Sequence, residues 1–139
     1  MEQLQQTQYV GSPHWENRQA SRMIVLTGTN FYDYDLKAFG KDRILFGRDP
    51  DRCDIVIPMS TISGVHGKIK FANGKTYVGD VGSTNGTYLY RGEIYEWMKP
   101  RKYYQKESGD WILRIDAKSH VSNQSAVIIL TDSLQKSAW

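Results

Sequence analysis

Residues 68–81, KIKFANGKTYVGDV, decide the fold class. Lys68-Ile69-Lys70-Phe71 alternates polar and apolar side chains, so a strand there has one wet face and one buried face. Ala72-Asn73-Gly74-Lys75 follows, and its Asn-Gly pair suits a tight hairpin whose two central residues need positive φ. Thr76-Tyr77-Val78-Gly79-Asp80-Val81 reads as the returning strand. A β-hairpin is legible here from local chemistry alone.

The same texture runs along most of the chain. MIVLTG (23–28), RILFGR (43–48), DIVIP (54–58), TYLY (87–90), WILRI (111–115) and AVIILT (126–131) are further apolar runs of strand length. Gly, Asn, Asp and Pro punctuate them. No segment keeps apolar residues at i, i+3, i+4 and i+7 for as long as an amphipathic helix requires, and no internal repeat is found. Many short strands with frequent turns predict an all-β, antiparallel sandwich or barrel. The least regular part is 93–110, EIYEWMKPRKYYQKESGD, which reads as an irregular strand pair or a loop insertion.

The 139 residues set an expectation of one domain with a real core. Residues 1–21 read as a flexible arm, 22–131 as the domain and 132–139 as a tail. Hydrophobic residues make up 40% and charged residues 24%, an ordinary globular balance. No apolar run approaches the roughly 18 residues of a membrane helix, and no direct membrane contact is expected. The polar N-terminus lacks an apolar signal core, and one cysteine, Cys53, fits a reducing compartment: the cytoplasm, or the nucleus in a eukaryote. A net charge of +3 is too mild to argue for nucleic acid.

Residues 80–87, DVGSTNGT, are too polar and turn-rich for a core strand. Three readings fit: an Asn-Gly hairpin turn, an N-x-[ST] glycosylation acceptor, or a ligand loop. The reducing compartment disfavours the acceptor here and at Asn123. Other polar residues also gather at strand ends: Gly47-Arg48, Ser63 with His66, and Asp80. Loop residues held by a rigid sheet are where binding usually resides.

Ser63, His66 and Asp80 are the residue types of a hydrolytic triad. Ser63 lacks a G-x-S-x-G elbow, however, and a base three residues away on one short loop tends to face elsewhere. An enzyme is not expected. The histidines and Cys53 show no metal-ligand spacing, and no cofactor is expected. A phosphate dianion fits better: it takes a guanidinium fork, hydroxyl donors and backbone N–H groups. Arg48, Ser63 and Thr84 supply the first two, glycine-rich turns the third, and the Asn85 amide suits a peptide main chain.

FGR (46–48), CDIVI (53–57), SGVH (63–66) and YVGDVGSTNGTYL (77–89), in that order, resemble a forkhead-associated (FHA) domain. Ser63 lies 15 residues after Arg48, and Asn85 a further 22 after Ser63, as in that family. The resemblance covers about residues 22–131. It implies an FHA/SMAD-like sandwich of about eleven strands whose loops at one apex recognise phosphothreonine peptides. Arg48, Ser63 and Thr84 would contact the phosphate and Asn85 the peptide main chain. Gly47, His66, Asp80 and Gly86 would shape the loops. The partner implied is a phosphothreonine-containing protein or peptide, a component of a Ser/Thr-kinase signalling pathway. The chain departs from the pattern at Gly64, where a polar residue is frequent, at Tyr90-Arg91-Gly92, and in its long aromatic 93–110 segment.

Simpler readings stand beside these. Arg48 alone could be a surface ion-pair partner, Ser63, Thr84 and Asn85 turn formers, His66 a structural histidine and Cys53 a core residue. Lys68, Lys70 and Lys75 read as a wet strand face able to attract an acidic peptide. Trp97, Tyr103 and Tyr104 either cover the sandwich or form an interaction patch. The alternative function is therefore a phosphate-independent scaffold or oligomerisation module acting through 93–110. Thr7, on the arm, is a candidate phosphorylation site that could dock intramolecularly at the apex.

Overall fold

The structure, a computed structural model, describes residues 20–107, 109–116 and 125–132. Thr7, Trp15, Asn123 and residues 133–139 of the tail lie outside the described residues. Eleven strands follow in chain order: β1 (Arg22–Thr27), β2 (Asn30–Asp35), β3 (Arg43–Gly47), β4 (Ile55–Val56), β5 (Gly67–Ala72) and β6 (Lys75–Asp80). The rest are β7 (Tyr88–Arg91), β8 (Ile94–Trp97), β9 (Tyr103–Gln105), β10 (Trp111–Ile115) and β11 (Ala126–Thr131). A 3₁₀ turn at Leu36–Phe39 separates β2 from β3.

The strands form two sheets, ordered β2-β1-β11-β10-β7-β8 and β4-β3-β5-β6-β9. Every neighbouring pair is antiparallel except β3 and β4. The β5–β6 hairpin turns through Asn73 at φ 54° and Gly74 at φ 74°, which is why Asn-Gly stands there. That turn pairs Ala72 with Lys75 and so sets Ile69 opposite Val78.

Period-two alternation then builds the core. Val25, Ile128, Leu113 and Leu89 form one fully buried row across four strands of the first sheet. Ile44, Ile69, Val78 and Tyr104 form a buried row across the second. Both belong to one contiguous apolar cluster with Phe46, Ile55, Ile57 and Ile62. Each such side chain contributes about 1.5–3 kcal/mol by leaving water.

Ala20 and Ser21, read as the end of the arm, are buried. The Ala20 N–H donates to Thr76 Oγ1 at 2.9 Å and the Ser21 N–H to the Thr131 carbonyl at 2.8 Å. Packing thus extends at least two residues ahead of β1.

The irregular 93–110 segment divides between the sheets. β8 closes the edge of the first sheet and β9 the edge of the second, so Trp97 and Tyr103 belong to different sheets. Tyr104 is 6% exposed and belongs to the core, its phenol oxygen accepting the Lys99 N–H at 2.8 Å.

Leu113 sits at the middle of the first buried row. Leu113→Ala is expected to lower stability by about 3 kcal/mol, read as a reduced urea midpoint with an unchanged m-value.

Candidate ligand-binding apex

Three segments meet where β3 and β6 end: Gly47–Arg48, the stretch before β5, and the β6–β7 loop. The Arg48 N–H donates to the Ser63 carbonyl at 2.9 Å and the Asp49 N–H to Gly64 at 3.0 Å. The His66 N–H reaches Phe46 at 2.9 Å, and the Val81 N–H reaches His66 at 3.0 Å. A Cβ on Gly47 would lie 2.3 Å from the Gly64 carbonyl oxygen, so only glycine allows this approach.

His66 is the hub. Its imidazole is fully buried, and Nδ1 accepts the Ser63 N–H at 3.1 Å. The ring proton therefore resides on Nε2, which faces Thr87 Oγ1 at 3.1 Å and the Gly86 carbonyl at 3.3 Å. The Thr87 hydroxyl in turn donates to Asp80 Oδ2 at 2.7 Å. The same carboxylate oxygen accepts the Ser83 hydroxyl at 2.6 Å, while Oδ1 accepts the backbone N–H groups of Gly82 and Ser83. The Gly86 N–H closes the loop onto Ser83 Oγ at 3.0 Å.

Burial pushes the His66 imidazole below its ordinary value, and the Asp80 charge and the Gly86 carbonyl offset this only in part. Burial alone would raise Asp80, but the hydrogen bonds from Ser83, Thr87 and Gly82 outweigh it and hold the carboxyl below its usual range.

A second clamp grips the β6–β7 loop from outside. The Arg101 N–H donates to the Asp80 carbonyl at 2.7 Å and the Met98 N–H to the Thr87 carbonyl at 2.9 Å. Gly86 has φ +79°, and a Cβ there would fall 1.7 Å from the Trp97 indole. Glycine is required twice over: by conformation and by the ring stacked on it.

These fixed loops leave polar groups facing out. Arg48 is exposed, and its Nε donates to the Ile62 carbonyl at 2.9 Å, aiming the guanidinium while sparing its terminal nitrogens. The nearby Asp49 carboxylate is taken by Arg52 Nε at 2.7 Å and the Asp51 N–H at 2.9 Å. Ser63 Oγ accepts the Thr84 N–H at 2.9 Å, which keeps its hydroxyl proton for another acceptor. Thr84 is exposed. Asn85 Nδ2 donates to the Thr61 carbonyl at 2.8 Å, leaving Oδ1 as an outward acceptor.

The structure thus gathers Arg48, Ser63, Thr84 and Asn85 at one end, with Gly47, His66, Asp80 and Gly86 beneath them. It does not form a Ser–His–Asp relay: His66 meets Ser63 through the backbone N–H rather than Oγ, and Nε2 points to Thr87. Thr87, the link between imidazole and carboxylate, and Arg52, which occupies Asp49, were not legible in advance. Thr87 is the third residue of the very Asn-Gly-Thr triplet that also reads as a glycosylation acceptor.

The FHA domain family model matches residues 44–113, half of the chain and the part holding all eight of these residues. The chain belongs to the FHA-domain family. No curated protein sequence matches it. Among solved structures, this FHA domain is similar to the N-terminal FHA domain of S. cerevisiae Rad53p, solved in complex with a phosphothreonine peptide. The identity is 20%, the TM-score 0.58, and the match covers 79% of this chain and 93% of that one. An engineered FHA domain bound to a Myc-pTBD peptide is 21% identical, with TM-score 0.56, covering 87% and 100% of the two chains. Full-length yeast Pml1p is 26% identical, with TM-score 0.54, covering 78% and 79%.

Two outcomes follow from the buried network. The unfolded chain binds a proton at His66 near the ordinary 6.5 and the folded chain does so only at lower pH, so stability falls as pH drops below about 6.5. Urea midpoints taken from about pH 7.5 to about pH 5.5 should decline, and less steeply for His66→Gln. Asp80→Ala strands two hydroxyls and two backbone N–H groups and is expected to cost about 3 kcal/mol by the same measurement.

Proposed function

We propose that this FHA domain binds phosphothreonine peptides and so mediates phosphorylation-dependent protein–protein interaction. The observation that carries this reading is the outward set at the apex. A fork of guanidinium nitrogens and two hydroxyls gather there, with Arg48 held by the Ile62 carbonyl and Ser63 Oγ by the Thr84 N–H, both backbone groups of neighbouring loops. The one carboxylate beside Arg48 is already occupied by Arg52. A phosphate brings strong acceptor oxygens and charge that a bare threonine lacks, which is the chemistry this set lacks internally. Asn85 Oδ1 is positioned to accept a main-chain N–H of the ligand. The phosphothreonine peptide bound by the Rad53p FHA domain and the Myc-pTBD peptide bound by the engineered one support the reading. The partner is a phosphothreonine protein from a Ser/Thr-kinase pathway, met in a reducing compartment.

A second reading rests on the outer face of the first sheet. Trp97 packs edge-on against Tyr88 at 4.8 Å, Tyr88 stacks on Tyr95 at 5.1 Å, and Tyr95 meets Tyr90 at 4.0 Å. The hydrogen bond with Tyr90 pushes the Tyr95 phenol up to about 12. Trp97 and Tyr95 are 42% and 50% exposed, so this ladder offers a phosphate-independent docking face. A complex that survives Arg48→Ala and phosphatase treatment but is lost with Tyr95→Ala would establish it.

Fluorescence anisotropy with a phosphothreonine peptide library, each member beside its unphosphorylated twin, tests the main reading. Losing one charged hydrogen-bond donor set should make Arg48→Ala bind about ten- to a few hundredfold more weakly. Equal binding of phosphorylated and bare twins by the wild type would defeat it, and phosphoserine twins test the threonine preference.

A further inference from the structure

Beside the apex, on the outer face of the second sheet, lies a cleft of about 250 Å³ lined by Lys68, Gly79, Asp80, Val81, Arg101, Lys102 and Tyr103. Its floor follows from register. Lys68, Gly79 and Tyr103 are mutual neighbours across β5, β6 and β9, and Gly79 has no side chain to fill the space between the other two. Lys70, one outward position further along β5, brings its ammonium to the same ring.

The charges of this cleft are unbalanced. Among the described residues, no carboxylate pairs with Lys68, Lys70, Arg101 or Lys102. The only carboxylate at the cleft is that of Asp80, and both its oxygens are consumed by Gly82, Ser83 and Thr87. Arg101 adopts φ +64°, a left-handed conformation that non-glycine residues take up rarely. It is held there by its N–H bond to the Asp80 carbonyl, with the guanidinium lying against Gly82 of the apex loop. The cleft therefore opens directly beside the loop that carries Thr84 and Asn85.

We propose that this cleft is a second anion subsite, which takes the carboxylate side chains of an acidic stretch in the partner protein. Charge complementarity favours an acidic peptide over single-stranded nucleic acid. Base recognition needs an open aromatic face for stacking. The exposed Tyr103 ring already has the Lys68 and Lys70 ammoniums over it, at 5.8 and 5.5 Å from its centre. Those same ammoniums remain free to meet carboxylates at their other donors. The inference rests on the phosphothreonine reading only in placing this stretch on the same peptide as the phosphorylated residue.

The test has two arms. In the first, hexaglutamate is titrated at low salt into the isotopically labelled 139-residue chain and backbone amide shifts are followed. Saturable shifts at Gly79, Arg101 and Tyr103 are expected. They should shrink as salt rises, persist in Arg48→Ala and vanish in the double variant Lys68→Gln/Arg101→Gln, whose spectrum otherwise overlays the wild type. In the second arm, phosphothreonine peptides carrying three Glu or three Ala residues on either side are compared. One Glu peptide should bind the wild type about five- to tenfold more tightly than its Ala twin, and the double variant should not distinguish them. Absent cleft shifts, unchanged shifts in the double variant, tighter binding of oligodeoxythymidylate than of hexaglutamate, or equal Glu and Ala affinities in the wild type would overturn the proposal. If hexaglutamate shifts the cleft while no phosphothreonine peptide binds, the apex reading falls and the anion subsite stands.

Discussion

The apex depends on a single proton position. His66 has one nitrogen committed as an acceptor, to the Ser63 N–H, and the other facing Thr87 and Gly86. Only the neutral ring with its proton on Nε2 satisfies both sides. That tautomer joins the loop before β5 to the loop after β6. Thr87 extends the link to Asp80, whose two oxygens collect the remaining donors of the β6–β7 loop. A charged imidazolium would have no place for the Ser63 N–H, so the burial that disfavours protonation also preserves the loop geometry.

The buried network and the outward set divide the work. His66, Asp80, Ser83 and Thr87 spend their hydrogen bonds on one another and on backbone groups. Arg48, Ser63 and Asn85 each spend only one, to a backbone group of a neighbouring loop, and keep the rest. The division makes the site preorganised: the donors are aimed before any ligand arrives, so little side-chain entropy remains to be lost on binding. Gly47 belongs to the same scheme, because the carbonyl it admits at close range belongs to Gly64, next to Ser63.

Much of this was written locally in the sequence. The Asn73-Gly74 turn, the alternation of Lys68–Phe71 and the apolar runs that became β1, β3, β10 and β11 each obey a rule spanning a few residues. The eight apex residues were legible because the family's motifs keep order and spacing. β2 was not: Asn30–Asp35 puts Tyr32 and Tyr34 inward but Phe31 outward with Asp33 and Asp35, so at this sheet edge the apolar contrast is weak. β8 and β9 have four and three residues and lie at sheet edges, so their state is set by the strand each pairs with rather than by their own composition. Thr87 shows the same limit at the site, since nothing near it in sequence reveals that an imidazole and a carboxylate will meet there.

The segment that resisted local reading is also the one that joins the sheets at the apex. Its chain leaves β8 on the first sheet and enters β9 on the second, and between them it passes across the β6–β7 loop. Met98 and Arg101 donate to the carbonyls of Thr87 and Asp80, the two ends of that loop. The loop is therefore held from within by the Asp80 carboxylate and from outside by this crossing. Its aromatic and basic residues sort by sheet: Trp97 and Tyr95 face out from the first, Arg101, Lys102 and Tyr103 from the second. The segment contributes to two faces, one aromatic and one cationic, and both adjoin the β6–β7 loop.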